Sequence, residues 1–402
     1  MTDAKPFLPY GRQWIEDDDI AAVVGVLKGD FLTSGPAVDA FETAFARHVG
    51  ARHAVACSNG TTALHLTIKA LGLGPGDTVI VPTVTFLATA NAAVYEGVRV
   101  VFADVDPETA LMTPDTLRDA LARAGGAAKA ILPVHLAGQP ADMAGIGAVA
   151  AECGLKVIED ACHATGGSYE DGHRVGASPH GAMAVFSLHP VKTITTGEGG
   201  VITTNDDHFA ERMRLLRGHG MVRDEAAFLN ADLAFDGAGA GNPWYYEMAE
   251  VGFNYRITDM QCALGLTQLA KLDRFVERRA QLVALYDRLL ADAGLEHVRP
   301  LGRRAGCRPG WHLYVVLIDF QALGTERARV MTAMRERGVG TQVHYLPVHL
   351  QPYYRRLDPN LHLPGAWDYY RRCLSLPLFP AMSDDDVARV VDVLAGAIGG
   401  RH

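Results

Sequence analysis

Phe186-Ser187-Leu188-His189-Pro190-Val191-Lys192-Thr193-Ile194-Thr195-Thr196-Gly197-Glu198-Gly199-Gly200 joins an apolar run, Ala182 to Leu188, to a second β-rich run that starts at Val201. Its glycines are too dense for a helix. One lysine stands between the two runs, flanked by hydroxyl side chains. Such a lysine suits an amine nucleophile. It forms a Schiff base with a carbonyl once a partly buried setting lowers its pKa. A solvated loop lysine is the plainer alternative, and the rest of the chain decides between them.

Upstream, strand-like runs alternate with helical ones. Ala54-Val55-Ala56-Cys57 is a short apolar run. Ser58-Asn59-Gly60-Thr61-Thr62 follows, then a helix over Ala63 to Leu71 with Leu64, Ile68 and Leu71 on one face. The free backbone N–H groups at that helix start, with the hydroxyls of Thr61 and Thr62, form a natural cradle for phosphate. Ser and Thr there also cap helices with no ligand at all. Strands are expected over Asp77–Val81, Val98–Phe102, Ala130–Val134 and Lys156–Asp160. Helices are expected over Leu87–Val94, Thr113–Ala122 and Met143–Glu152. Continuous apolar strands alternating with helices indicate a mainly parallel sheet covered on both faces, an α/β fold. Ligands in such sheets gather beyond the carboxyl ends of the strands. Thr61, Asp160 and Lys192 fall at or just after such ends.

The chain has 402 residues, 49% hydrophobic and 21% charged, enough for two domains with a large core. A net charge of -9 argues against a general nucleic-acid or anionic-membrane partner. Met1 to Pro6 lacks a basic region leading into an apolar stretch, so no signal peptide is expected. No apolar run is long enough to span a bilayer. The six cysteines show no CxxC pair and read as reduced thiols of a cytoplasmic protein, with no zinc site.

Downstream, Asp236 to Gly241 is a Gly/Ala-rich loop. Thr258 to Leu290 then carries Leu264, Leu269, Leu272, Phe275, Leu282, Leu285 and Leu289 at helical spacing, long enough to bridge two domains. Strands are expected over Trp311–Phe320 and Gly340–Tyr345, and helices over Glu326–Gly338 and Asp384–Ala397. The division is a large domain over 1–257 and a smaller C-terminal α+β domain over 258–402 that covers the crevice. Tyr10, His344 and Tyr345 are the candidate substrate contacts.

These signals agree on one chemistry. An amine at Lys192, a strand-end carboxylate at Asp160, an aromatic at Phe86 and a Gly/Thr/Ser cup are the parts needed to hold pyridoxal phosphate. The carboxylate keeps the pyridine nitrogen protonated, and Phe86 can stack on a planar ring, with a core position as its plainer alternative.

The chain resembles the DegT/DnrJ/EryC1/StrS family of nucleotide-sugar aminotransferases, pyridoxal-phosphate enzymes of the aspartate-aminotransferase fold (fold type I). The segments that carry the likeness are Glu159-Asp160-Ala161-Cys162-His163-Ala164, the Phe186–Gly200 stretch, and Gly252-Phe253-Asn254-Tyr255-Arg256-Ile257-Thr258-Asp259-Met260-Gln261. The resemblance implies Lys192 as the Schiff-base lysine and Asp160 as the pyridine-nitrogen partner. It implies His163 near the ring hydroxyl, Phe86 as the stacking aromatic, and Gly60, Thr61 and Ser187 as the phosphate cup. It also implies that Asn254 reaches the phosphate of a neighbouring subunit's cofactor, hence an obligate homodimer.

Three segments resemble the branch that makes UDP-4-amino-4,6-dideoxy-N-acetyl-β-L-altrosamine, on the route to pseudaminic acid. They are His189–Glu198, Trp244-Tyr245-Tyr246-Glu247-Met248 and Thr341–Tyr354. Leu188 and Leu136 stand where Phe is usual in the family, and Ser58-Asn59 inverts a common Asn-Ser. The implied substrates are a UDP-linked 4-keto-6-deoxy-N-acetylhexosamine and L-glutamate, with another nucleotide keto-sugar as the alternative.

Overall fold

The computed structural model describes residues 6–177 and 179–399. The N-terminal residues Met1 to Lys5, read above for a leader, lie outside them. Two helices open the chain, α1 (Asp17–Leu27) and α2 (Pro36–Val49). Strands and helices then alternate as β1 (His53–Cys57), α3 (Gly60–Ala70), β2 (Thr78–Pro82), α4 (Leu87–Tyr95), β3 (Arg99–Ala103), α5 (Pro114–Ala124), β4 (Ala128–Ile131), α6 (Met143–Glu152) and β5 (Lys156–Asp160). A hairpin of β6 (Met183–Ser187) and β7 (Gly200–Thr204) carries Lys192 in its loop.

The local chemistry explains the boundaries. Thr113 accepts the N–H of Thr116, Pro114 occupies the first helical position, and Gly125 closes α5 at φ 63°. Each removes an orphan backbone group or a conformational cost at a helix end. The strands are apolar on both faces: Val79, Ile80 and Val81 are fully buried. Each such side chain contributes about 1.5–3 kcal/mol relative to exposure.

The seven strands run in the order β1-β7-β6-β5-β4-β2-β3. All neighbours are parallel except β7, which is antiparallel to both β1 and β6. The expected mainly parallel sheet is therefore present. The fourth strand begins two residues earlier than the periodicity suggested and stops at Ile131. Pro133 has no N–H to continue the ladder, and Val134 makes only a single bridge to Asp160.

After α7 (Asp207–Arg217) comes a peripheral segment with β8 (Met221–Val222), α8 (Ala231–Ala234) and β9 (Glu247–Met248). The expected long helix over 258–290 is two helices, α9 (Asp259–Ala270) and α10 (Leu272–Asp292). They break at Lys271, whose ammonium sits among Asp18 (2.5 Å), Asp19 (2.8 Å) and Glu16 (3.3 Å) at the start of α1. That cage ties the end of α9 to the start of α1, and Cys262, Leu269 and Leu272 pack into the core formed with α2 and the large sheet.

The C-terminal part holds β10 (Val298–Pro300), β11 (Tyr314–Ile318), α11 (Arg327–Glu336), α12 (Pro352–Leu357), α13 (Pro364–Arg372), β12 (Cys373–Leu376) and α14 (Asp384–Ile398). Its three strands form a small antiparallel sheet in the order β10-β11-β12. That sheet shares a core with α10, α11 and α14 through Leu282, Tyr286, Met334 and Leu394. The expected strand over 340–345 does not form. Of these residues Gln342 alone makes backbone pairs with the edge of β12, reciprocally with Ser375. Beyond it the chain turns inward, and His344 and Tyr345 leave the sheet for the cavity described next.

Candidate active site

A cavity of about 720 Å³ opens beyond the carboxyl ends of the parallel strands. It collects nearly every residue singled out from the sequence: Tyr10, Gly60, Thr61, Phe86, Asp160, His163, Ser187, Lys192, His344 and Tyr345 all line it. Asn254 does not. It is exposed, on a single bridge to Gly218.

At the end of β1, Asn59 caps α3. Its Oδ1 accepts the N–H of Thr62 at 2.9 Å, and the Thr62 hydroxyl accepts the N–H of Asn59 at 3.1 Å. The capping work thus falls to Asn59 and Thr62. Gly60 and Thr61 keep first-turn N–H groups without intrahelical partners at the cavity wall. A Cβ on Gly60 would lie 2.9 Å from Ser187 Cβ and 3.2 Å from its Oγ. Only glycine lets the helix start approach the end of β6 this closely.

Asp160 ends β5 and is 5% exposed. Its Oδ2 accepts the Thr89 hydroxyl at 2.6 Å, and its Oδ1 the N–H of Cys162 at 3.2 Å. Thr85 bonds Thr89 in turn at 2.7 Å. These donors offset the cost of burying a carboxylate and aim it into the cavity.

Lys192 sits in a bend closed by its neighbours. Its N–H donates to His189 O at 2.9 Å. The Thr195 hydroxyl donates to Leu188 O at 2.9 Å and that of Thr196 to Glu198 O at 2.7 Å, so these hydroxyls hold the loop's shape. Gly197 takes φ 81°. Burial lowers the Lys192 pKa, against the pull of Cys162 and Asp160. A lowered pKa makes the neutral amine accessible to chemistry.

Opposite stands an aromatic and imidazole wall. Tyr345 OH lies 3.1 Å from His163 Nε2, and Phe86 lies 6.1 Å from Tyr345 between ring centroids. His344 Nδ1 lies 2.8 Å from Ser375 Oγ, and its ring meets Tyr10 at 5.5 Å. Burial, then the Lys192 charge, lowers the His344 pKa to about 3. The same two causes, with His344 adding to them, hold His163 well below the usual histidine range.

Sequence reasoning missed three residues here. Thr89 and Thr85 lie on the first turn of α4 and just before it. Their spacing around Phe86 was the available signal. His312 packs its ring 4.5 Å from that of His163. It precedes a strand on the far side of the chain, and nothing local marks it.

The chain matches the sequence profile of the DegT/DnrJ/EryC1/StrS aminotransferase family over residues 13–395. It belongs to that family. It is 39% identical over 398 residues to the spore coat polysaccharide biosynthesis protein SpsC of Bacillus subtilis (strain 168), covering 98% of each chain. Among solved structures it is similar to Helicobacter pylori PseC, an aminotransferase involved in the biosynthesis of pseudoaminic acid. There the TM-score is 0.87 with 27% identity, over 98% of this chain and 99% of that one. A putative sugar aminotransferase of Streptococcus pneumoniae, Spr1654, solved in its PLP form, gives a TM-score of 0.85 with 25% identity over 98% and 99%.

The chain is therefore a sugar aminotransferase of the DegT/DnrJ/EryC1/StrS family, with the fold of the pyridoxal-phosphate aminotransferases, and it depends on pyridoxal phosphate. The cavity fits that group. It offers a glycine-made cradle at a helix start, an amine of lowered pKa and a donor-held carboxylate. His163 Nδ1 is also buried without a partner. No helix among the described residues is long and apolar enough to cross a membrane.

Proposed function

We propose that this sugar aminotransferase transfers an amino group from L-glutamate to C4 of a UDP-linked 4-keto-6-deoxy-N-acetylhexosamine, giving UDP-4-amino-4,6-dideoxy-N-acetyl-β-L-altrosamine. The observation that carries the site assignment is the meeting of Lys192, Asp160 and the Gly60–Ser187 cradle in one cavity. The similarity to PseC, together with the His189–Glu198 and Thr341–Tyr354 segments, supports the substrate.

In this reading Lys192 Nζ would hold the cofactor, Asp160 would meet its ring nitrogen, and Gly60, Thr61 and Ser187 would hold its phosphate. Phe86 would cover the ring and His163 would lie beside the ring hydroxyl. Bound there, pyridoxal phosphate supplies an aldehyde and a protonated ring that delocalises negative charge. Lys192 Nζ, once free, would move a proton between the substrate carbon and C4′ of the cofactor, in one direction with the amino donor and in the other with the keto acceptor. Tyr10, His344 and Tyr345 orient the sugar and keep water out.

The unit is a homodimer with shared sites. Of the described residues lining the cavity, Lys192 is the sole lysine or arginine, while a nucleoside diphosphate needs several donors for its phosphates. Exposed Phe86, Tyr95, Trp244, Tyr246 and Met248 offer apolar surface to a second copy. Asn254 is free to reach that copy's site.

The relationship to SpsC favours a second reading, in which the acceptor is another nucleotide keto-sugar of a surface polysaccharide. Product analysis with UDP-4-keto-6-deoxy-L-AltNAc and its D-Glc-configured epimer tests the choice. Preferred turnover of the L-altro ketone is expected. Turnover confined to a different keto-sugar in a wider panel overturns the assignment.

A further inference from the structure

Behind the cavity, the strand that ends in Asp160 carries a second carboxylate. Side chains alternate along β5. Asp160 enters the cavity, and Glu159 points to the other face, fully buried. His135 Nδ1 accepts the N–H of Ala141 at 3.1 Å. The proton of that ring therefore sits on Nε2, which donates to Glu159 Oε2 at 2.9 Å. The Tyr169 hydroxyl donates to the same oxygen.

His135 also ties this carboxylate to Asp160. Its backbone N–H donates to Asp160 O at 3.1 Å, while the Asp160 N–H donates to Pro133 O at 2.8 Å. Glu159 Oε1 is buried with no partner. A Cβ on residue 181 would lie 2.7 Å from that oxygen, so its space exists only because Gly181 lacks one. Among the described residues no lysine or arginine pairs with Glu159, and its ion-pair contact is His135. The titratable groups that face it are His135 and Tyr169, with Asp160 next along the strand and Asp171 beyond Tyr169. A buried carboxylate served by neutral donors costs several kcal/mol that a glutamine there would avoid.

We propose that Glu159 is a positioning residue for Asp160: with His135 and Tyr169 it braces the end of β5, and its charge raises the proton affinity of the ring nitrogen that Asp160 faces. The inference rests on the placement of Asp160 against the cofactor nitrogen. One carboxylate acts by contact and the other by field, from opposite faces of a single strand. Tyr169 is held well above the usual tyrosine range by burial and by Glu159, so it stays a donor.

Holoenzyme loaded with ring-15N pyridoxal phosphate tests this. In Glu159→Gln, which keeps shape and removes charge, the 15N resonance is expected to move toward its unprotonated position. The midpoint should fall by about one unit, the scale of a charge across one strand at interior dielectric. The pyridoxal phosphate dissociation constant should rise about tenfold, while the melting temperature stays equal or increases. An unchanged resonance in folded Glu159→Gln overturns the inference, whatever the melting temperature does. Should that variant not fold, Tyr169→Phe removes one of the two donors on Glu159 Oε2. It should shift the resonance the same way by less, and an unchanged resonance there overturns the inference equally. Asp160→Asn separates the two layers. If it too leaves the nitrogen unmoved, the placement of Asp160 falls and the inference with it. If it moves the nitrogen while Glu159→Gln does not, only the inference falls.

Discussion

The Thr89 hydroxyl, in the first turn of α4, donates to Asp160 Oδ2 across 2.6 Å. It joins two elements far apart in sequence and holds a strand-end carboxylate at a fixed angle. Hydrogen bonds to charged groups are worth about 1.5–3 kcal/mol. Thr89→Val should therefore weaken cofactor binding by roughly tenfold or more. Titrating apoenzyme with pyridoxal phosphate measures this. Thr85→Val, one bond further out, should give a smaller effect in the same direction.

Lys192→Ala should fold and retain the cavity, because the loop's shape rests on Thr195, Thr196 and Gly197. Absorbance from covalently held cofactor and turnover should both vanish. A variant that cycles at the wild-type rate would remove this lysine from the chemistry.

Gly60→Val should damage the phosphate cradle first. Its Cβ meets Ser187 at 2.9 Å, and such overpacking costs about 1–3 kcal/mol. The dissociation constant for pyridoxal phosphate should rise more than that for pyridoxal, which lacks the phosphate. Equal losses for both would place the phosphate elsewhere.

The imidazole wall makes stability depend on pH. His344 takes up a proton near pH 6.5 when unfolded but only at about 3 when folded. Between those values the unfolded chain binds more protons, so stability is complete above about pH 6.5 and falls as pH drops toward 3. The full loss is on the order of several kcal/mol, and His163 and His312 act with the same sign. Urea unfolding at pH 7.5 and pH 5 should show a smaller difference in His344→Asn than in the wild-type chain. Parallel pH curves for the two proteins would contradict this.

Much of the fold was legible locally. The alternation from β1 to β5 follows from apolar runs separated by helices, of which α3, α5 and α6 carry side-chain caps from Asn59, Thr113 and Asp142. The bend at Lys192 was readable for the same reason, since its glycines and threonines close it internally. The missing strand at 340–345 was not, because pairing depends on where β12 runs, and only Gln342 meets it.

The sequence by itself determined the strand-and-helix order from β1 to β5, the lysine-bearing hairpin and the chemistry of its site, because those depend on short-range periodicity, turn residues and functional groups. Tertiary structure alone decided the break at Lys271, the Thr89 contact to Asp160, the entry of His312 and the Glu159 brace. Each of these is a contact between separated segments, by ring packing for His312 and by polar groups for the others. It is set by where buried charges find partners, and no local pattern in the chain encodes that.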